Sequence, residues 1–271
     1  MSTAPFPQDD HLHAELDSGV LTVTMTNPKR RNSLNDDAVA SFISVVQRAQ
    51  NDEDVRALLI VGDGGDFCSG FDIIGRNSGD GPKPRVGAIQ RRLPSQAHRL
   101  IPLLVELQVP IIAAVRGYAA GIGLQLLLTA DFVVTAEDAI LWEPFAQRGM
   151  APDSGATWLL PRVVGPRRAK EMLMLGKRLS GAEAVEWGIA YESLPGDEVL
   201  ERGRQLAAAV AAGPTVTLGI TRWLLNTSPE RDLKEQLAQE GFAMEIASRS
   251  QDFREGLKAF MEKRDPEFGG R

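Results

Sequence analysis

Three stretches of this chain hold residues whose types and spacing suit proton transfer beside a stabilised anion. Phe67-Cys68-Ser69-Gly70-Phe71-Asp72 reads as a short strand ending in a glycine turn. Gly121-Ile122-Gly123 separates an apolar β-rich run, 111–115, from a second apolar run, 124–128, and so reads as a strand-to-helix turn. Gly149-Met150-Ala151-Pro152-Asp153-Ser154-Gly155 is a loop before a helix, with one carboxylate among small residues. Glycine lets a backbone come close to a ligand or take a positive φ, and a helix start leaves N–H groups without partners inside the helix. Two such turns and one carboxylate are the parts needed to stabilise an enolate and move a proton. Each stretch also has a plainer reading. The turns could serve only to reverse the chain, Cys68 could be a small buried hydrophobe, and Asp153 could be an N-cap for the helix after it.

Other signatures of chemistry are missing. No glycine-rich loop ends in Lys-Ser or Lys-Thr, and no G-x-G-x-x-G opens a helix after a strand. His11, His13 and His98 lack metal-ligand spacing and are expected at the surface, so no metal site is expected. Ser69 and Ser154 do not sit in G-x-S-x-G. A net charge of −6 over 271 residues argues against general nucleic-acid binding, which needs a basic surface. The single cysteine excludes an internal disulfide and suits a reducing compartment. The N-terminus lacks a basic-then-apolar leader, and no apolar run reaches membrane-spanning length. A cytoplasmic protein without a membrane partner is expected.

The elements that must position these residues follow from periodicity. Residues 12–16 and 20–25 alternate around Ser18-Gly19 and predict a β-hairpin. Asn35 caps a helix whose first turn holds Asp36 and Asp37 and whose apolar face is Val39, Phe42, Ile43 and Val46. Residues 55–61 predict a buried strand, 75–87 a mobile loop rich in Gly and Pro, and 93–107 a helix ended before Pro110. Strands follow at 132–135 and 139–142, helices at 155–160 and 167–175, and a capping box at Ser180 and Glu183. Past 195 only helical patterns remain. An α/β body over 1–197 and a helical region over 198–271 are therefore expected.

Five segments, in order, resemble the crotonase family, the enoyl-CoA hydratase/isomerase superfamily. Asn27-Pro28-Lys29-Arg30-Arg31-Asn32-Ser33-Leu34 is similar to its N-P-x-x-x-N-x-L, and Phe67 to Asp72 matches F-C-[AS]-G-x-D. Gly117 to Gln125 resembles G-x-a-x-G-G-G-x-[ED], and Leu160-Pro161-Arg162-Val163-Val164-Gly165 matches L-P-R-x-x-G. Residues 255–264 look like E-G-x-x-A-F-x-E-K-R. The resemblance implies a spiral of β-β-α units, a helical C-terminal region that mediates assembly, and a homotrimer or dimer of trimers. It implies an acyl-CoA thioester as substrate, coenzyme A being part of that substrate and no separate cofactor being needed. Carried over by position, the thioester oxygen falls between the N–H groups of Phe71 and Ile122. Ile122 replaces a usual glycine, which keeps the N–H while reshaping the acyl pocket. Arg30, Cys68, Gly70, Asp72, Gly121 and Phe145 fall at substrate-binding positions. Phe260 and Lys263 fall where the family contacts the adenine and phosphates, offered to a neighbouring subunit. Read on their own pattern, Phe260 would be a core anchor and Lys263 a solvated charge.

The family's hydratases hold a water between two glutamates, and those positions here are Gln125 and Phe145, neither of which can act as acid or base. Glu143 lies two residues from Phe145 across Pro144. Its facing after the proline is open, and a surface or structural glutamate is the plainer expectation. Asp153 falls where family isomerases place an Asp or Glu and where a dehalogenase branch places a nucleophile. Three readings stand. Asp153 shuttles a proton from C2 to C4 and turns a 3-enoyl-CoA into a 2-enoyl-CoA; Glu143 or another acid serves a hydratase, a lyase, with hydrolysis through Asp153 as a minor variant; or the chain binds acyl-CoA without catalysis.

Overall fold

The computed structural model describes residues 6–73 and 85–271. The expected loop at 75–87 therefore lies almost wholly outside the described residues. Strands β1 (Leu12–Asp17) and β2 (Val20–Met25) form the hairpin, with Leu16 opposite Leu21 and positive φ at both Ser18 and Gly19. The sheet continues in parallel through β3 (Ala57–Gly62), β4 (Ile111–Val115), β6 (Phe132–Ala136) and β9 (Glu192–Leu194). A second sheet holds β5 (Tyr118–Ala120), β7 (Ile140–Trp142) and β8 (Arg178–Ser180), in that order. Phe67 to Ser69, expected as a strand, adds only an isolated parallel bridge from Cys68 to Ala119.

Each pass of the chain lays one strand in the large sheet, turns into the small one, and returns through a helix. β4, β5 and α4 (Ile122–Leu128) make one such turn, and β6, β7 and α5 (Ala156–Leu175) make the next. This is the spiral of β-β-α units that the resemblance implies. Every residue of β4 is buried, which accounts for its unbroken apolar run.

Asn35 caps α1 (Asp36–Asn51) by accepting the Ala38 N–H at 2.8 Å, and Val39, Phe42 and Val46 are fully buried. Each such side chain contributes about 1.5–3 kcal/mol relative to exposure. A short helix, α2 (Ala88–Arg92), precedes the helix expected at 93–107, which begins as a 3₁₀ turn holding Pro94 and continues as α3 (Ala97–Glu106). The two helices expected at 155–160 and 167–175 follow each other within α5, which is broken where Gly165 takes φ 79° between Pro161 and Pro166. The capping box at Ser180 opens α6 (Gly181–Glu186). Beyond β9 come α7 (Val199–Ala211), α8 (Thr215–Thr227), α9 (Leu233–Ala247) and α10 (Gln251–Glu262). Helix α7 lies across β3, β4 and β6 of the large sheet. It comes so close at Gly203 that a methyl group there would sit 2.8 Å from the Ala114 Cβ.

Candidate active site

The Asn-Pro segment braces the first glycine turn. Asn32, fully buried, accepts the Asn27 N–H at 2.9 Å and donates its amide to the carbonyls of Asp63 and Asp66 at 2.9 and 2.6 Å. The segment then runs beside the turn. Ser69 N–H donates to Arg31, Leu34 N–H to Gly70, and Asp72 N–H to Leu34, at 2.8–2.9 Å. Arg30 adds an ion pair to Asp72 at 2.6 Å. Phe71 is thus held from both sides, after a Gly70 whose φ of 107° suits no other residue well.

The second turn is laid against the first by pairing. Cys68 N–H donates to Tyr118 and Ala120 N–H to Cys68, at 2.8 and 2.9 Å. A methyl group on Gly121 would lie 3.9 Å from the Gly70 Cα, and one on Gly123 would strike the Cys68 carbonyl at 2.4 Å. Glycine at 123 is required by this approach, whereas 122 has room for isoleucine, which is buried. Ile122 is the first residue of α4, so its N–H belongs to the turn that has no acceptor within the helix. Cys68 is completely buried and its thiol is pushed up to about 12 by burial, which suits a packed hydrophobe rather than a nucleophile.

Gln125 and Glu143 meet beside this turn, and Asp153 is close enough for its charge to act on Glu143. Gly121 N–H donates to the Trp142 carbonyl at 3.1 Å, which sets the next residue, Glu143, beside the turn. The surface reading of Glu143 is corrected here, because the residue is fully buried and accepts the Gln125 side-chain amide at 2.5 Å. Burial, reinforced by the charge of Asp153, pushes the Glu143 carboxyl well above the usual glutamate range, while the Gln125 amide opposes the shift. Asp153 is half-buried and accepts the Ser154 hydroxyl at 3.0 Å. It does not cap α5: Gly155 is the N-cap, and no side chain supplies a capping bond. Ser154 takes a positive φ, and its N–H donates to His98 Nε2 at 3.3 Å, a contact that nothing in the spacing of the histidines announced.

The remaining candidates lie elsewhere. Phe145 is buried and its carbonyl accepts from Arg148 and Met150 as the chain turns toward Asp153. Phe260, expected on its own pattern as a core anchor, is 84% exposed on α10, because that helix directs its buried face at Ala259 instead. Lys263 ends the same helix in a left-handed conformation and is exposed. Beside Ser154 and Gly155, a cavity of about 470 Å³ opens between α3, α5 and α8, lined by Ile101, Val105, Trp158 and Leu159 among others. Among the described residues no group of His, Cys, Asp and Glu could hold a metal ion.

Fold and site together define a spiral α/β protein with paired glycine turns facing a carboxylate. The sequence model of the family described as enoyl-CoA hydratase/isomerase matches residues 15–271, and the chain belongs to this family, the crotonases, whose members act on acyl-CoA thioesters. It is 37% identical over 259 residues to the 1,2-epoxyphenylacetyl-CoA isomerase of Escherichia coli (strain K12), covering 95% of this chain and 98% of that one. It is 33% identical to a probable enoyl-CoA hydratase of Rhodobacter capsulatus, covering 95% and 97%. The crystal structure of a putative enoyl-CoA hydratase from Streptomyces coelicolor A3(2) superposes with a TM-score of 0.90 at 33% identity, covering 100% of this chain and 98% of that one. The chain is thus an acyl-CoA enzyme of the hydratase/isomerase type with a crotonase fold.

Proposed function

We infer that this enzyme moves a double bond, converting a 3-enoyl-CoA into the conjugated 2-enoyl-CoA. Asp153 takes a proton from C2 and returns it at C4. The enolate oxygen formed between these steps is held by the N–H groups of Phe71 and Ile122, which strengthen their hydrogen bonds as charge gathers there. One observation carries the choice of base. Glu143, the other candidate carboxyl, is fully buried against the Gln125 amide and burial raises it well above the usual glutamate range, whereas Asp153 is only half-buried. The apolar cavity beside Ser154 suits the far end of the acyl group. The isomerase named among the relatives supports the same reaction class.

Hydration is the second reading, favoured by the buried Glu143 and by the relative named as a probable hydratase. A neutral Glu143 can give a proton but cannot take one from water. Exchange of the C2 proton in deuterated water, with product analysis over a panel of enoyl-CoAs, separates these readings. Asp153→Asn is expected to lower both exchange and isomerisation by about 10²–10⁴-fold. Unchanged isomerisation in that variant sinks the proposal, a 3-hydroxy product favours hydration, release of free CoA reveals hydrolysis, and binding without exchange means no catalysis.

A further inference from the structure

Gln125 and Glu143 spend only half of their hydrogen-bonding capacity on each other. The Gln125 amide meets Glu143 Oε1, while Gln125 Oε1 and Glu143 Oε2 have no hydrogen-bond partner among the described residues, although both side chains are completely buried. Buried polar atoms left open in this way are costly and call for a ligand or another specific explanation. Their place narrows the choice. Gln125 stands one turn after Ile122 on α4, Glu143 follows the residue whose carbonyl holds Gly121, and the charge of Asp153 reaches Glu143. The two open atoms therefore belong to side chains beside the Gly121-Ile122 turn, with Asp153 within electrostatic reach of Glu143.

We propose that Gln125 and Glu143 form a hydrogen-bonding couplet that recognises an oxygen carried by the acyl group near its reacting carbons, so that the enzyme selects oxygen-bearing acyl-CoA thioesters over plain hydrocarbon ones. The proposal rests on the acyl-CoA site described above. A neutral Glu143 offers an O–H from Oε2, and Gln125 Oε1 offers an acceptor. A hydroxyl group can use both at once, whereas an oxo or ether oxygen uses the donor alone. An unsubstituted acyl chain would leave both atoms unpaired in an apolar site, and a site built to bond a hydroxyl discriminates strongly against the analogue that lacks it.

Titration calorimetry on the full-length enzyme, with butyryl-CoA and both configurations of 3-hydroxybutyryl-CoA, tests this without turnover. The wild type is expected to bind one hydroxy ligand roughly tenfold more tightly than butyryl-CoA. In Gln125→Leu/Glu143→Leu the ratio is expected to fall to about one or below. Replacing a buried polar pair by apolar residues is compatible with folding, and the wild-type ratio is informative even if that variant proves unstable. A wild-type ratio near one overturns the proposal, as does a ratio that survives the double substitution. Recovery of the hydroxy ligand as crotonyl-CoA also overturns it, by making the oxygen a leaving group and Glu143 a catalytic acid. The same ratio is expected in Asp153→Asn, so failure of the couplet and failure of Asp153 as base are read from different experiments.

Discussion

A carboxyl held neutral inside a protein leaves a trace in stability, and Glu143 is the residue on which to look for it. Its ordinary value is 4.5, and burial raises it well above that in the folded chain, with Asp153 adding to the rise. Above pH 4.5 the unfolded chain therefore loses a proton that the folded chain keeps, so stability falls as pH rises toward the folded value. Glu143→Gln has no proton to lose and can still accept from Gln125. Its melting temperature relative to wild type is expected to climb between about pH 5 and pH 8, as thermal melts across that range will show. A difference that is flat or falls with pH would mean that Glu143 is ionised in place. Asp153, by contrast, is visible in the sequence as one carboxylate among small residues, and its role as base is drawn from the family resemblance.

At the scale of elements, a buried arginine on a C-terminal helix ties together the elements that carry the second glycine turn. Arg222 of α8 is buried and forms an ion pair with Asp131 at 2.7 Å, while donating to the carbonyls of Val105, Leu107 and Thr129. Asp131 in turn accepts the Ile111 N–H at 2.7 Å. One guanidinium thus ties the end of α3, the start of β4 and the end of α4 to the C-terminal helices. Arg222→Met is expected to cost about 3–5 kcal/mol, because it strands several buried acceptors and a partner charge. Denaturant titration measures this, and a loss below about 1 kcal/mol would show the network to be dispensable. No local pattern reveals such a tie. Its members are up to 117 residues apart, and an arginine on an apolar helix reads equally well as a solvated charge.

Across the whole molecule, the C-terminal helices leave large apolar side chains uncovered. Leu233, Leu237, Phe242, Met244 and Ile246 of α9 are all more than half exposed in the single chain, as are Phe260 and Met261 of α10. Apolar exposure on this scale marks an association surface. It fits the expected homotrimer or dimer of trimers, in which Phe260 and Lys263 would serve a neighbour's site. Leu237→Glu/Phe242→Glu is expected to shift the protein to monomers in light scattering after size exclusion. A wild type that is monomeric at micromolar concentration would refute the assembly.

The sequence by itself determined what is local. It set the hairpin at Ser18-Gly19, the cap at Asn35, the capping box at Ser180, the glycine turns and the Asp153 loop, because each depends on backbone preferences or contacts within a few residues. The order of the five family segments carried the rest of the identification. Only the tertiary structure decided where Glu143 points, since the direction of a side chain before a proline depends on how β7 leaves its sheet. It also decided that Gln125 is that residue's partner and that Phe260 faces outward. An apolar stripe on a helix looks the same in sequence whether its own core or another subunit covers it.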